Sequence, residues 1–99
     1  MDSKIKRDLI FKLSDYIGEF AIMNALRPGM ISPHHVQSFL DAETTLIESI
    51  EAAKALFETD EKTDKNLYGL IVGAESTIKA ANDAIKSDGK AYCFQLVKR

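Results

Sequence analysis

Leu9, Leu13, Tyr16, Phe20 and Met23 follow one another at spacings of 4, 3, 4 and 3, which places all five on one side of a helix. Asp8, Lys12, Asp15 and Glu19 form an opposing polar stripe, and Ile10 and Ile17 widen the apolar seam on one flank. Residues 4–26 are therefore expected to form one helix, with Ser3 as its N-cap. Arg27-Pro28-Gly29 stops it, because proline disfavours helical geometry in the residue before it. Between Phe20 and Leu26 the helix is apolar nearly all round, so that end is expected to be enclosed by other elements or by a partner.

A second helix is expected over 33–58. Ser32 can cap it, and Pro33 takes the first helical position, where a missing N–H costs nothing. Val36, Phe39, Leu46, Ile50, Ala53 and Phe57 line one face, with Leu40, Ile47 and Leu56 beside them. Glu43 is the polar interruption on that line. Gln37, Asp41, Thr44, Glu48, Glu51 and Glu58 face away, and a charged connection runs from Thr59 to Thr63.

The third stretch, 64–86, has Asp64 as its cap and Leu67, Leu70, Ile71, Ala74, Ile78, Ala81 and Ile85 as its seam. Leu67 to Val72 also reads as a short strand, but the helical period continues through Ile85 and favours helix. Ser87-Asp88-Gly89 closes it, with Gly89 near the position that takes a left-handed conformation.

Three stretches of matched length, each roughly 35–39 Å at ~1.5 Å per residue, predict an all-α fold. The architecture expected is a single domain over 1–99, an antiparallel bundle of three long helices with a short C-terminal extended tail. In that tail Tyr92, Phe94 and Leu96 alternate with Cys93, Gln95 and Val97. A solitary strand needs another to pair with, and no convincing second strand exists in the chain.

Composition changes this picture little. The chain has 99 residues, 45% hydrophobic and 28% charged, as expected of a folded domain. Its single cysteine excludes an internal disulfide and suits a reducing compartment. Lys12, Asp15 and Glu19 interrupt any signal-peptide core, and no run approaches the ~20 apolar residues of a membrane span. A cytoplasmic address is expected. Net charge is −2, unevenly spread: residues 33–66 hold three Lys/Arg against eight Asp/Glu. An acidic middle helix repels a phosphate backbone, so nucleic acid is not the expected partner.

Candidate chemistry is sparse. His34 and His35 are adjacent, not four apart, and so do not clasp a metal from one helix face. Ser32, a histidine and Asp41 contain the types of a catalytic triad without its alignment. Cys93 between Tyr92 and Phe94 reads as a buried small hydrophobe. Gly69-x-x-x-Gly73 lacks the lysine and hydroxyl of a phosphate loop. No catalytic residue, metal or cofactor is expected.

Gly69, Gly73, Thr77, Ala80 and Ala84 run down one side of the third helix at spacings of 4, 4, 3 and 4. Two interior glycines cost about 1–2 kcal/mol of helix propensity, and close approach of another helix, in this bundle or from a partner, would offset it. Gly69, Gly73, Thr77, Ala80, Tyr92, Phe94 and Leu96 are thus the candidate interaction surface. The function expected is a small non-enzymatic protein–protein interaction module: an adaptor, inhibitor or assembly subunit that binds another protein and forms a homo-oligomer. The alternative is a nucleic-acid-associated transcriptional regulator, since Pro28-Gly29 loosely resembles the turn of a helix-turn-helix.

Overall fold

A computed structural model describes residues 2–59 and 65–97, with side chains over 4–56 and 65–97. Helix α1 spans Asp2–Ala25, α2 Pro33–Thr59 and α3 Lys65–Ser87. Single 3-10 segments, Pro28–Met30 and Ala91–Leu96, follow α1 and α3. The expected cap at Asp64, the Phe57 side chain and most of the charged connection lie outside the described residues. Ser3 falls inside α1 and does not precede it.

Cross-helix contacts fix the directions. On α1, Asp8 meets Ser49 and Tyr16 meets Glu43, so α2 runs antiparallel to α1. Lys54 meets Glu75 and Glu43 meets Asn82, so α3 reverses again. The result is an up-down-up bundle measuring 49 × 22 × 18 Å. No helix among the described residues is long and apolar enough to cross a membrane.

The predicted seams make the core. Leu9, Tyr16 and Met23 of α1 are fully buried, with Leu13 and Phe20 packed beside them. Val36, Phe39, Leu46, Ile50 and Ala53 come from α2, and Leu67, Ile71, Ala74, Ala81 and Ile85 from α3. Phe39 lies at the aromatic centre, its ring centroid 5.0 Å from Tyr16, 6.5 Å from Phe20 and 6.2 Å from Phe94. The polar interruption at Glu43 is answered from both neighbours: the Tyr16 hydroxyl donates to it at 3.0 Å and the Asn82 amide at 3.2 Å.

Two of the helix boundaries read from sequence, the start of α2 and the end of α3, are built as expected. At the start of α2 the Ser32 amide donates to His35 Nδ1 at 3.1 Å, and the His35 amide reaches back to Ser32 Oγ at 3.4 Å. This is a capping box with histidine in the place that glutamate or glutamine usually fills. At the end of α3, Gly89 has φ +71°, its amide donates to Lys86 at 3.1 Å and that of Lys90 to Ile85 at 2.9 Å. That pair of bonds is the Schellman motif.

The tail differs from its expected extended form. Residues 91–96 coil into a 3-10 segment, which lets the Cys93 amide bond to Lys90 at 3.0 Å without a strand partner. Its burial follows a period of three, not two. Lys90 and Cys93 are buried, Phe94 and Val97 pack on the core, and Tyr92 and Leu96 turn outward. The segment docks on α2, and the Tyr92 hydroxyl donates to the carbonyl of Pro28.

Lys90 ties this corner together. Only 5% exposed, it donates from Nζ to the carbonyls of Met23 at 3.1 Å and Asn24 at 3.0 Å. These are among the last α1 carbonyls, which lack intrahelical partners. Lys90→Met keeps the apolar stem and leaves those acceptors without their donor. It should lower stability by about 1–3 kcal/mol in urea unfolding at neutral pH.

Candidate interaction surface

Between residues 10 and 25, α1 carries three charges, Lys12, Asp15 and Glu19, with Lys12 and Asp15 beside Phe11. The remaining arc, roughly 140° at ~100° per residue, holds Ile10, Phe11, Ser14, Ile17, Gly18, Ala21, Ile22 and Ala25. All eight are exposed. Phe11 stands 66% exposed, Ile10 48%, Ile17 47% and Ile22 47%. A Cβ added at Gly18 would meet nothing within 4 Å. Small residues thus form the floor of the strip and four bulky ones its edges.

This strip corrects one expectation and narrows another. Ile10 and Ile17 do not widen the core seam, because α2 and α3 meet α1 on the Leu9–Tyr16–Met23 side only. The apolar end of α1 is enclosed on one side only by the described residues: Phe20, Met23 and Leu26 pack on the core, while Ala21, Ile22 and Ala25 are open, which leaves enclosure there to a partner. The signal lay in the sequence as a wide uncharged arc, but a helix with apolar residues on more than one side does not declare which side the bundle takes.

The residues singled out beforehand are not brought together. Gly69, Gly73 and Ala80 are exposed on the outer side of α3, and the partly buried Thr77 donates back to the Gly73 carbonyl at 2.7 Å. Among the described residues, nothing beyond α3's own nearby backbone lies within 4 Å of a Cβ placed at Gly69 or Gly73, so no other described helix approaches there. In the tail, Tyr92 and Leu96 are each 43% exposed, but Phe94 belongs to the core through Phe39.

Inside the bundle, Tyr16, Glu43 and Asn82 form a polar cluster beside a small cleft of about 190 Å³ lined by Leu40, Glu43, Asn82 and Phe94. Burial raises the Tyr16 hydroxyl well above its ordinary pKa, and the charge of Glu43 and the bond to it act in the same direction. Asn82 is the member of this cluster that sequence reasoning missed; its 4-residue back-bond to Ile78 at 2.8 Å gives no sign of it. The cluster answers one half-buried carboxylate with two donors, which is what such a group needs to stay in a bundle. Burial likewise pushes the Cys93 thiol up, against the lowering pull of its own backbone bond and of Lys90. No group of three His, Cys, Asp or Glu side chains among the described residues is placed to hold a metal.

Comparison with protein-family models, with curated proteins and with solved structures finds no match to this chain.

Two outcomes follow from this geometry. Because Gly69 and Gly73 face open space, replacing both with alanine should stabilise α3 by up to about 2 kcal/mol and raise Tm in dilute solution. A lower Tm would mean that another backbone lies against them. Tyr16→Phe should cost about 1 kcal/mol at neutral pH by removing one donor from Glu43. The raised pKa means the fold favours the neutral phenol. That stability is present below the ordinary value of 10.0 and drains away as pH rises above it. Denaturation at pH ~8 and ~11 should therefore show a smaller alkaline loss in Tyr16→Phe than in the parent.

Proposed function

We propose that this chain is a small protein–protein interaction module acting by steric binding, as an adaptor, inhibitor or assembly subunit, and that it self-associates. The observation that carries the reading is the uncharged strip on α1, left in water over four turns while the opposite side of the same helix is fully buried. Contiguous apolar surface of that kind marks an interaction site more often than a passive face. Its floor of small residues favours a helix as the bound element, because small side chains let two backbones come close. The partner is a protein and not a nucleic acid, for the outer face of α2 presents Asp41, Glu48 and Glu51 to solvent. A cytoplasmic setting suits the lone, unbridged Cys93.

A photoreactive benzophenone side chain at Phe11 tests this in cells of the native host, with the same group at Glu48 on α2 as the control. The reading expects covalent capture of a polypeptide at the Phe11 position and none at Glu48. Equal labelling at both positions, or none at Phe11, would remove it.

A further inference from the structure

The hydrogen bonds at the start of α2 fix the protonation of one ring. The Ser32 amide directs its hydrogen at His35 Nδ1, 3.1 Å away, and a backbone N–H can only donate. Nδ1 is therefore bare, and the neutral ring carries its proton on Nε2. The Ser32 hydroxyl lies 2.9 Å from the same nitrogen and rotates to suit either role, while its oxygen accepts from the His35 amide at 3.4 Å. Glutamine in this place would keep an acceptor at every pH. Histidine keeps one only while neutral, and it is the side chain that ordinarily changes charge between pH ~5 and ~8.

We propose that the Ser32–His35 cap is a proton-operated latch on the connection between α1 and α2, closed around the neutral ring and opened in mild acid by a proton on Nδ1. The proton turns the acceptor into a donor. The Ser32 hydroxyl remains an acceptor for it, but the Ser32 amide is left facing another N–H. The new charge also enters the first turn of α2, where a helix dipole disfavours cations, and no acidic residue stands in that turn to offset it. Because the closed state holds the ring neutral, the cap is present above the histidine range and is lost as pH falls through it.

The surroundings of the ring are sparsely charged. The register set by Asp8 with Ser49 and by Tyr16 with Glu43 carries His35 to the level of Ile22, Met23 and Asn24 of α1, which are uncharged. The nearest charged residues along that stretch are Glu19 and Arg27. Helix α3 ends short of this level. From the tail, Lys90 Nζ is held there on the carbonyls of Met23 and Asn24, and the Tyr92 hydroxyl on that of Pro28. On α2 itself the neighbour is His34, its ring centroid 6.3 Å away. Glu19 attracts a proton to this corner, whereas Lys90, Arg27 and the dipole repel one. Opening is local, since Ile31 stays buried and Tyr92 keeps its hold on Pro28. The chain loosens at Ser32 and the first turn of α2 frays, while the bundle persists.

Amide exchange read by NMR at pH ~7.5 and ~5, with its intrinsic pH dependence divided out, tests the latch. In the parent chain, protection of the Ser32 and His35 amides should fall about tenfold at the lower pH, the factor that one lost hydrogen bond supplies. Protection of Leu46 and Ile50, in the middle of α2, should hold. His35→Gln keeps an acceptor and cannot titrate, so its cap should be equally protected at both values. His34→Gln leaves the latch intact and should behave as the parent does. Ring nitrogen shifts at neutral pH should show His35 bare at Nδ1 and protonated at Nε2, a reading made in the parent chain whatever the variants do. A ring protonated at Nδ1, undiminished protection of Ser32 in acid, or the same acid loss in His35→Gln overturns the proposal.

Discussion

Phe39 and Glu43 lie one helical turn apart on the inward side of α2, and through this pair α2 holds α1, α3 and the tail. The Phe39 ring packs on Tyr16 and Phe20 of α1 and on Phe94 of the tail. Glu43, next along the same line, takes hydrogen bonds from Tyr16 on α1 and Asn82 on α3. The aromatic contact supplies area and the carboxylate supplies direction. A half-buried charge is tolerated only where its donors are in place, so it penalises registers in which Tyr16 or Asn82 slides past it. Tyr16 serves both partners at once, ring on Phe39 and hydroxyl on Glu43.

The choice of α2 as the hub explains what remains uncovered. Both α1 and α3 pack against α2 and against each other, and the short tail adds itself to α2. Nothing in the described chain is left to cover the far side of α1. That helix therefore has two apolar sides with different fates: the Leu9–Tyr16–Met23 side is closed, while the Ile10–Ala25 strip stays in water. The glycines point the same way. Gly18, Gly69 and Gly73 all face open space, so intrachain packing is not what keeps helix-weakening residues at these positions.

The far end of the molecule shows how a local motif becomes a long-range tie. The left-handed turn at Gly89 ends α3 by bonds within six residues. The same turn aims the Lys90 side chain across the bundle onto the last carbonyls of α1, more than 60 residues earlier in the chain. Tyr92 then reaches the Pro28 carbonyl in the connection that follows α1. A helix stop, a helix cap and the docking of the tail are thus one connected structure.

The existence and order of the three helices, the start of α2 and the end of α3 were legible from residues alone, because apolar period, proline and capping residues act within a few positions. Ser3, expected as a cap, instead lies inside α1. Ser32 with Pro33 and the Ser87-Asp88-Gly89 stop needed no tertiary information. The buried seams were legible for the same reason: at each level of a bundle one side must leave water. Three things were decided only by the folded arrangement. The tail coils because no strand among the described residues offers its backbone partners, and a period of two in its sequence cannot supply them. Lys90 is buried because two carbonyls from the other end of the chain converge on it. The open strip on α1 was settled by which of two apolar sides α2 occupies, and a periodicity that fits both sides leaves that choice to packing.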